Sequence, residues 1–433
     1  MNFDSQNCSL VWLRRDLRLD DNMAISKAIS LDTPFSICFV FDREILEKIS
    51  ENLYSTKDSN NNVLDRRLYF IHKSLEEIDS ALKKLGSSLI VIHGFATTSI
   101  PEIIKKYRFK NLICSSDYEP LAIKRDKTIK SIVEKDGVNF FSVKDQCIFE
   151  KKEIMSKSNK PYTVFTPYKK TWLENFDFSL ISNHYSSLQI KQKIIKTDFK
   201  LDHQLPPLSR IGFSEKCYFP DRIKLGSKGA LQHLKEFLTK IDAYKTNRDI
   251  PNLSGTSYLS IHMRFGNISI REVLRQITKN IKKISNLSLG SQCWLSELVW
   301  REFYMQILFN FPYVTESCFK HEYDAISWEK SKSLLNSWIE GQTGFPIIDA
   351  GMRQLNKTGY MHNRLRMLTA SFLTKDYGID WKEGENYFAM KLNDYDLSDS
   401  YMDAAEKIVG SEFVSRNEPP ATGSEDFADM LKH

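Results

Sequence analysis

The hydrophobic pattern of this chain changes character near Gly226, and that change restricts the fold more than any other feature. Before it, short apolar runs alternate with helix-length amphipathic stretches. Strand candidates are residues 10–13, 35–41, 88–93, 112–115 and 138–141, each β-branched or aromatic and bounded by polar residues. Between two of them, 64–85 carries Leu68, Ile71, Leu75, Ile78 and Leu82 at three- and four-residue spacing. Such alternation predicts a mostly parallel five-stranded sheet covered by helices. No G-x-G-x-x-G follows any strand candidate, so a dinucleotide-binding reading lacks its phosphate loop. Residues 151–202 are basic and turn-rich and read as a long crossing connection. After Gly226 the chain is almost all helix-like, at 230–243, 269–283, 293–311, 332–340, 346–358 and 363–377. The expectation is an α/β N-terminal domain (1–135), a connection (136–205), an all-α domain (206–402) and a separate tail (403–433).

The 433 residues are 41% hydrophobic and 27% charged, ample for a buried core in each domain. A net charge of +6 permits a nucleic-acid partner without arguing for one. The seven cysteines form no C-x-x-C pair and no Cys/His metal spacing. They read as small buried hydrophobes in a reducing compartment, and no metal site is expected. No apolar run is long enough to span a bilayer, and MNFDSQNCSLVWLRRD lacks a signal-peptide pattern. The cytoplasm is the expected location.

Five motifs carry candidate chemistry. WLSELVWREFYMQIL (294–308) places Glu297, Trp300, Arg301 and Tyr304 on one helical face. A carboxylate, an aromatic plane and a guanidinium there suit an unstacked base. A solvated face with surface ion pairs accounts for the same spacing. In MHNRLRM (361–367), Asn363, Arg366 and Met367 share a face and Arg364 points elsewhere. The two arginines could meet phosphate or a heteroaromatic ring, or form an ordinary basic surface. GTSYLSIHMRFGNIS (255–269) clusters Thr256, Ser257 and Ser260 around Leu259, which suits a phosphate cradle or a helix cap. Asp394 and Asp396 are a carboxylate pair after Trp381 and Tyr387, open to acid–base work, ring or ribose hydrogen bonds, or a polar loop. RRDLRLDDN (14–22) reads as ion pairs fixing a strand-to-helix loop.

Taken in order, VWLRRDLRLDDN, YTVFTPYKKTW, AYKTNRD, GTSYLS…FGNIS, WLSELVWREFY, TGFPIIDAGMRQL, MHNRLRM and DWKEGENYF resemble the photolyase/cryptochrome family over roughly 8–397. The Met-His-Asn-Arg block resembles class I photolyases, which act on cyclobutane pyrimidine dimers. The resemblance implies an antenna domain followed by a helical domain that holds FAD and binds damaged DNA, acting as a monomer. It implies FAD contacts at Tyr244, Thr256, Ser257, Tyr258, Leu259, Ser260, Trp294, Arg301, Asn363, Arg366, Asp394, Tyr395 and Asp396. Dimer and DNA contacts would be Arg248, Glu297, Trp300, Arg301, Tyr304, Asn363, Arg364 and Met367. Trp328 and Trp381 match the outer and middle members of the family's electron-transfer chain. The activity implied is light-dependent dimer repair by electron transfer from reduced FAD. A blue-light-sensing cryptochrome and an inactive photolyase remnant are the alternatives.

The chain also departs from the family. No Trp follows Trp381, so the inner member of the electron-transfer chain is missing, and Ser400 stands where an Asn or Asp is usual. After Leu397 the family's Asn-Asn-Gly-Gly-Trp stretch is replaced. AAEKIVGSEFVSRNEPPATGSEDFADML is instead similar to a short block of M20-type amidohydrolases/peptidases. Impaired FAD binding is the consequence expected. A second, antenna chromophore (folate, a deazaflavin or another flavin) stays open; Leu121 and Ala122 stand where folate-binding relatives carry Asn-Glu.

Overall fold

The computed structural model describes residues 7–182, 185–196 and 203–398. Its first part alternates strands and helices: β1 (Ser9–Leu13), α1 (Met23–Ser30), β2 (Phe35–Asp42), α2 (Arg43–Glu51), α3 (Arg66–Lys84), β3 (Ile90–Gly94), α4 (Ala96–Tyr107), β4 (Asn111–Ser115), α5 (Pro120–Lys135) and β5 (Asn139–Val143). The strands form one parallel sheet in the order β3-β2-β1-β4-β5. Every residue of β1, β2 and β4 is buried, as expected of strands covered on both faces. The sheet continues to Val143, past residue 135. α3 follows its sequence pattern: Asp65 caps Arg67 N at 2.8 Å and Leu68 N at 3.0 Å, and Leu68, Leu75, Ile78 and Leu82 are buried. Cys8, Cys38 and Cys114 are buried in this domain, and all seven cysteines are free.

The connection is more structured than its sequence suggests, with α6 (Phe165–Asn175) and α7 (Ser187–Lys193). Burial of Phe165, Tyr168 and Trp172 against the second core outweighs the basic, turn-rich composition. The helical part holds α8 (Gly226–Leu238), α9 (Tyr244–Asn247), α10 (Ser260–Arg264), α11 (Ile270–Ile277), α12 (Leu289–Asn310), α13 (Lys332–Glu340), α14 (Pro346–Thr358), α15 (Asn363–Ser371) and α16 (Trp381–Lys391). α12 is buried on most sides, with Trp294, Leu295, Leu298, Val299 and Phe303 in one core. α15 changes into a π turn at Phe372–Asp376, where the hydrophobic period alone reads as one helix to 377.

Buried ions join the two parts. Arg18 and Arg271 meet on Asp145 at 2.7 and 3.0 Å, while Arg271 and Arg275 meet on Asp21 at 3.1 and 2.8 Å. Burial works against the charge on Asp145, but Arg18 and Arg271 hold its carboxyl down at about 2. The Arg14–Asn22 segment is therefore an ion-pair network that fixes its own loop, with Asn22 and Arg14 bonded to Asp16, and also reaches the helical part through Asp21 and Asp145.

Candidate flavin and DNA site

Arg248 and Asp249, at the end of α9, link Glu297 of α12 to Arg364 of α15. Arg248 Nη1 donates to Glu297 Oε1 at 2.5 Å, and its guanidinium lies 5.6 Å from the Tyr244 ring. Arg364 Nη2 is 2.7 Å from Asp249 Oδ1, and Arg248 is 3.5 Å from the same atom. Burial would lower the Arg248 pKa, but Glu297 outweighs it and keeps the guanidinium charged. Tyr244, Arg248, Glu297 and Arg364 thus form one cluster, and Asp249 joins it. Asp249 was not singled out in the sequence, although it closes the AYKTNRD block.

Trp300 is half-buried and lies parallel to Phe165, with ring centroids 3.5 Å apart and 7° between planes. One face of this indole is therefore occupied by Phe165 of α6. Tyr304 sits 5.3 Å from it. Arg301 does not share the Glu297 cluster. Its Nη1 donates to Gln146 O at 2.7 Å and its Nη2 to Met263 O at 3.5 Å, tying the connection to α10. The next residue, Glu302, is buried and accepts from Ile148 N at 2.5 Å, Phe149 N at 3.2 Å and Trp172 Nε1 at 2.7 Å. Burial raises its carboxyl to about 7 in spite of those donors. Glu302 had a sequence signal, its place beside Arg301 in WREFY, but no spacing rule separates it from a solvated glutamate.

Asp394 and Asp396 are not a working pair. Arg366 grips Asp394 with Nη2 at 3.0 and 2.9 Å from its two oxygens, and donates Nε to Met361 O at 2.9 Å. Asp396 is bound by Arg15 and Arg264 instead. Burial would raise its carboxyl, and these arginines hold it well below the usual carboxylate range. Asn363 is exposed, with its amide 3.9 Å from Met367 Sδ. In the 255–260 loop, Ser257 Oγ accepts from Leu259 N at 3.3 Å, Thr256 Oγ1 is 3.4 Å from the Tyr360 hydroxyl, Tyr258 has φ 55° and Ser260 is exposed. Leu259 and Trp294 are buried in the core with Tyr244, and Trp294 packs on Phe237 at 4.7 Å. A bridge between Glu329 and Ile379 places the backbones next to Trp328 and Trp381 side by side; Trp381 is buried and Trp328 half-buried. Tyr395 donates its hydroxyl to Glu385.

Residues 9–187 match the family described as DNA photolyase, and residues 294–411 match the FAD binding domain of DNA photolyase. A deoxyribodipyrimidine photo-lyase of a Synechococcus species is 30% identical over 393 residues, covering 90% of this chain and 78% of the relative. The chain belongs to the DNA photolyase family. A bacterial class III photolyase from Agrobacterium tumefaciens superposes with TM-score 0.78 at 28% identity, covering 96% of this chain and 83% of the other. An archaeal photolyase from Sulfolobus tokodaii, solved with two FAD molecules, superposes with TM-score 0.74 at 28% identity, over 98% of this photolyase-family chain and 88% of the other. The FAD-binding match passes Leu397, where the sequence motifs of the family end, and extends to 411. Ser400 and the tail from 403 lie outside the described residues. Among the described residues no helix is long and apolar enough to cross a membrane.

The residues present fit an FAD. Hydroxyls of Thr256, Ser257 and Ser260 suit phosphates, and the Arg366–Asp394 pair with the Asn363 amide suits ring N–H and C=O groups.

Proposed function

We propose that this chain repairs cyclobutane pyrimidine dimers in damaged DNA in a light-dependent reaction, with FAD as its cofactor. The observation that supports this reading is that α15 carries both Arg366, which holds Asp394, and Arg364, which meets Asp249 of the Arg248–Glu297 cluster between α9 and α12. When bound, FAD supplies the photochemistry, passing an electron to the dimer and receiving it back. The chain binds, orients and excludes water. Thr256, Ser257, Tyr258 and Ser260 hold the phosphate end, and Tyr244, Leu259 and Trp294 wall the cofactor. Asn363, Arg366, Asp394 and Tyr395 orient the ring. Glu297 accepts hydrogen bonds from base N–H groups of the flipped dimer, and Trp300, Tyr304 and Met367 cover its apolar surface. Arg248 and Arg364 exchange their carboxylate partners for DNA phosphates. Trp328 and Trp381 provide an aromatic route for electrons entering from the surface.

The test is direct. The purified chain, loaded with FAD and reduced, is illuminated with an oligonucleotide carrying one thymine dimer. Light-dependent loss of the dimer is expected, with none in the dark. A chain that binds FAD and leaves the dimer intact under illumination would overturn the reading.

A further inference from the structure

The turn that carries Asp394 is pinned residue by residue. Asn393 donates its N–H to Gly359 O at 2.8 Å and its amide to Thr358 O at 3.0 Å. Asp394 takes both Arg366 bonds, and Tyr395 bonds Glu385. All of these anchors belong to the helical domain. Asp396 differs, because one of its partners, Arg15, lies 381 residues away in the β1–α1 loop of the α/β domain. Arg264 of α10 approaches the same oxygen at 3.5 Å. Glu119, at the start of α5, lies between the two guanidiniums at 3.0 and 3.1 Å, and Asp117 is 3.6 Å from Arg15. The other Asp396 oxygen accepts from Ser398 N at 3.2 Å and Ser398 Oγ at 2.9 Å. Both oxygens are thus satisfied inside the protein. This carboxylate reads as an anchor and not as the flavin contact expected from the sequence.

We propose that Arg15, supported by Glu119, is a positioning residue of the flavin site: acting from the α/β domain through Asp396, it fixes the turn that presents Asp394. The inference rests on the FAD-dependent reading above. The backbone at Arg15 has no room to drift. Leu17 N donates to Phe265 O at 3.0 Å, and Gly266, at φ 68°, packs so closely that a Cβ there would overlap the Arg15 carbonyl. A side chain on a fixed backbone keeps a fixed reach, so the grip on Asp396 depends on a guanidinium at this position. Without it, Asp396 would retain Arg264 but face Glu119 with one cation fewer between them.

The experiment titrates FAD into the full-length chain and follows flavin fluorescence anisotropy and the visible circular dichroism of the bound ring. Arg15→Gln is expected to weaken FAD binding about tenfold, the equivalent of one lost charge-assisted bond, and to alter the flavin dichroism. Arg15→Lys recovers part of both. Arg275→Gln is the control: it loosens the same domain seam through Asp21 without touching Asp396, and its FAD affinity and dichroism stay at wild-type values. Glu119→Gln, which loosens the hold that orients the Arg15 guanidinium toward Asp396, shifts both readouts in the Arg15→Gln direction and serves if Arg15→Gln does not fold. Wild-type affinity and dichroism in Arg15→Gln, or in Glu119→Gln when only that variant folds, overturn the proposal. So does an Arg275→Gln effect as large as that of Arg15→Gln. A wild-type chain that takes up no FAD overturns the cofactor reading together with it, whereas wild-type binding unchanged in the variants sinks the role of Arg15 alone.

Discussion

Charge pairing at single residues divides the helical domain into two groups, which the proposed function assigns to the cofactor and to DNA. On the cofactor side, Asp394→Asn leaves the half-buried Arg366 without its bidentate partner. A loss of roughly 1.5–3 kcal/mol is expected for a charged hydrogen-bonded group, read as weaker FAD binding and a lower melting temperature. On the DNA side, two arginines face two carboxylates, so the cluster is formally neutral before DNA arrives. Asp249→Asn should release Arg364 and tighten binding to undamaged duplex at low salt, an effect that fades as salt screens it. An unchanged affinity in low-salt titrations would show that Asp249 does not restrain Arg364. Glu302 sets a pH dependence. Its carboxyl titrates near 7 in the folded state against 4.5 unfolded. The native state therefore holds a proton that the unfolded chain has lost between those values. The stability Glu302 contributes is complete below pH 4.5 and declines as pH rises through 7. Glu302→Gln removes that term, so its melting temperature should fall less between pH 5 and 7.5, as roughly tracked by circular dichroism. None of these partnerships was legible in the sequence. Glu297 and Arg248 were each marked by motif, but the bond between them crosses from α9 to α12.

At the level of elements, α12 is the beam on which the site is built. It starts at Ser288, whose hydroxyl caps Ser291 N at 3.2 Å. Its second residue, Gly290, lies against the carbonyls of Ile241 and Asp242, just before α9. A Cβ there would overlap the first carbonyl and lie 2.6 Å from the second. Gly290→Ala must push α12 away from the Ile241–Tyr244 turn, with an expected cost of about 1–3 kcal/mol. Ser285→Ala, at an exposed position, should leave the melting temperature unchanged, and equal melting of both variants would refute the close-approach argument. Helix bounds were read from sequence unevenly: the helix expected at 269–283 ends at Ile277, and the one expected at 230–243 spans Gly226–Leu238. α13 and α14 begin and end where their periodicity does, and α3 differs from its pattern by a residue or two at each end. The connection was read as irregular because it is basic and turn-rich, and the apolar residues of α6, Phe165, Tyr168 and Trp172, become a helix face only once the second core covers them.

Across the whole molecule, the two domains share a buried apolar contact, where Ile261 of α10 and the adjoining Phe265 join the core around Phe70 and Leu75, and buried ions tie them in addition. Arg271 and Asp145 are almost inaccessible to solvent, with side chains 5% and 1% exposed. Arg271→Met leaves Asp21 and Asp145 each short of a cation, and a loss of about 3 kcal/mol or more is expected. Adding Asp21→Asn should return part of that loss, because it removes one of the stranded charges. Chemical denaturation of the single and double variants measures both. The seam also sets the position of the flavin wall, since Arg15 enters the Asp396 turn from the α/β side.

The sequence by itself determined the order of strands and helices, the change from an α/β to an all-α domain near residue 226, and the family. Those properties depend on local periodicity and on contiguous blocks, which a chain displays whether or not it is folded. Only the tertiary structure decided which charges meet. It assigned Arg366 to Asp394, Arg15 and Arg264 to Asp396, and Glu302 to the connection, and it turned one face of Trp300 onto Phe165. An ion pair between residues 381 positions apart has no period and no local signature. It is created when two buried surfaces close and each charge must find a partner or leave the interior.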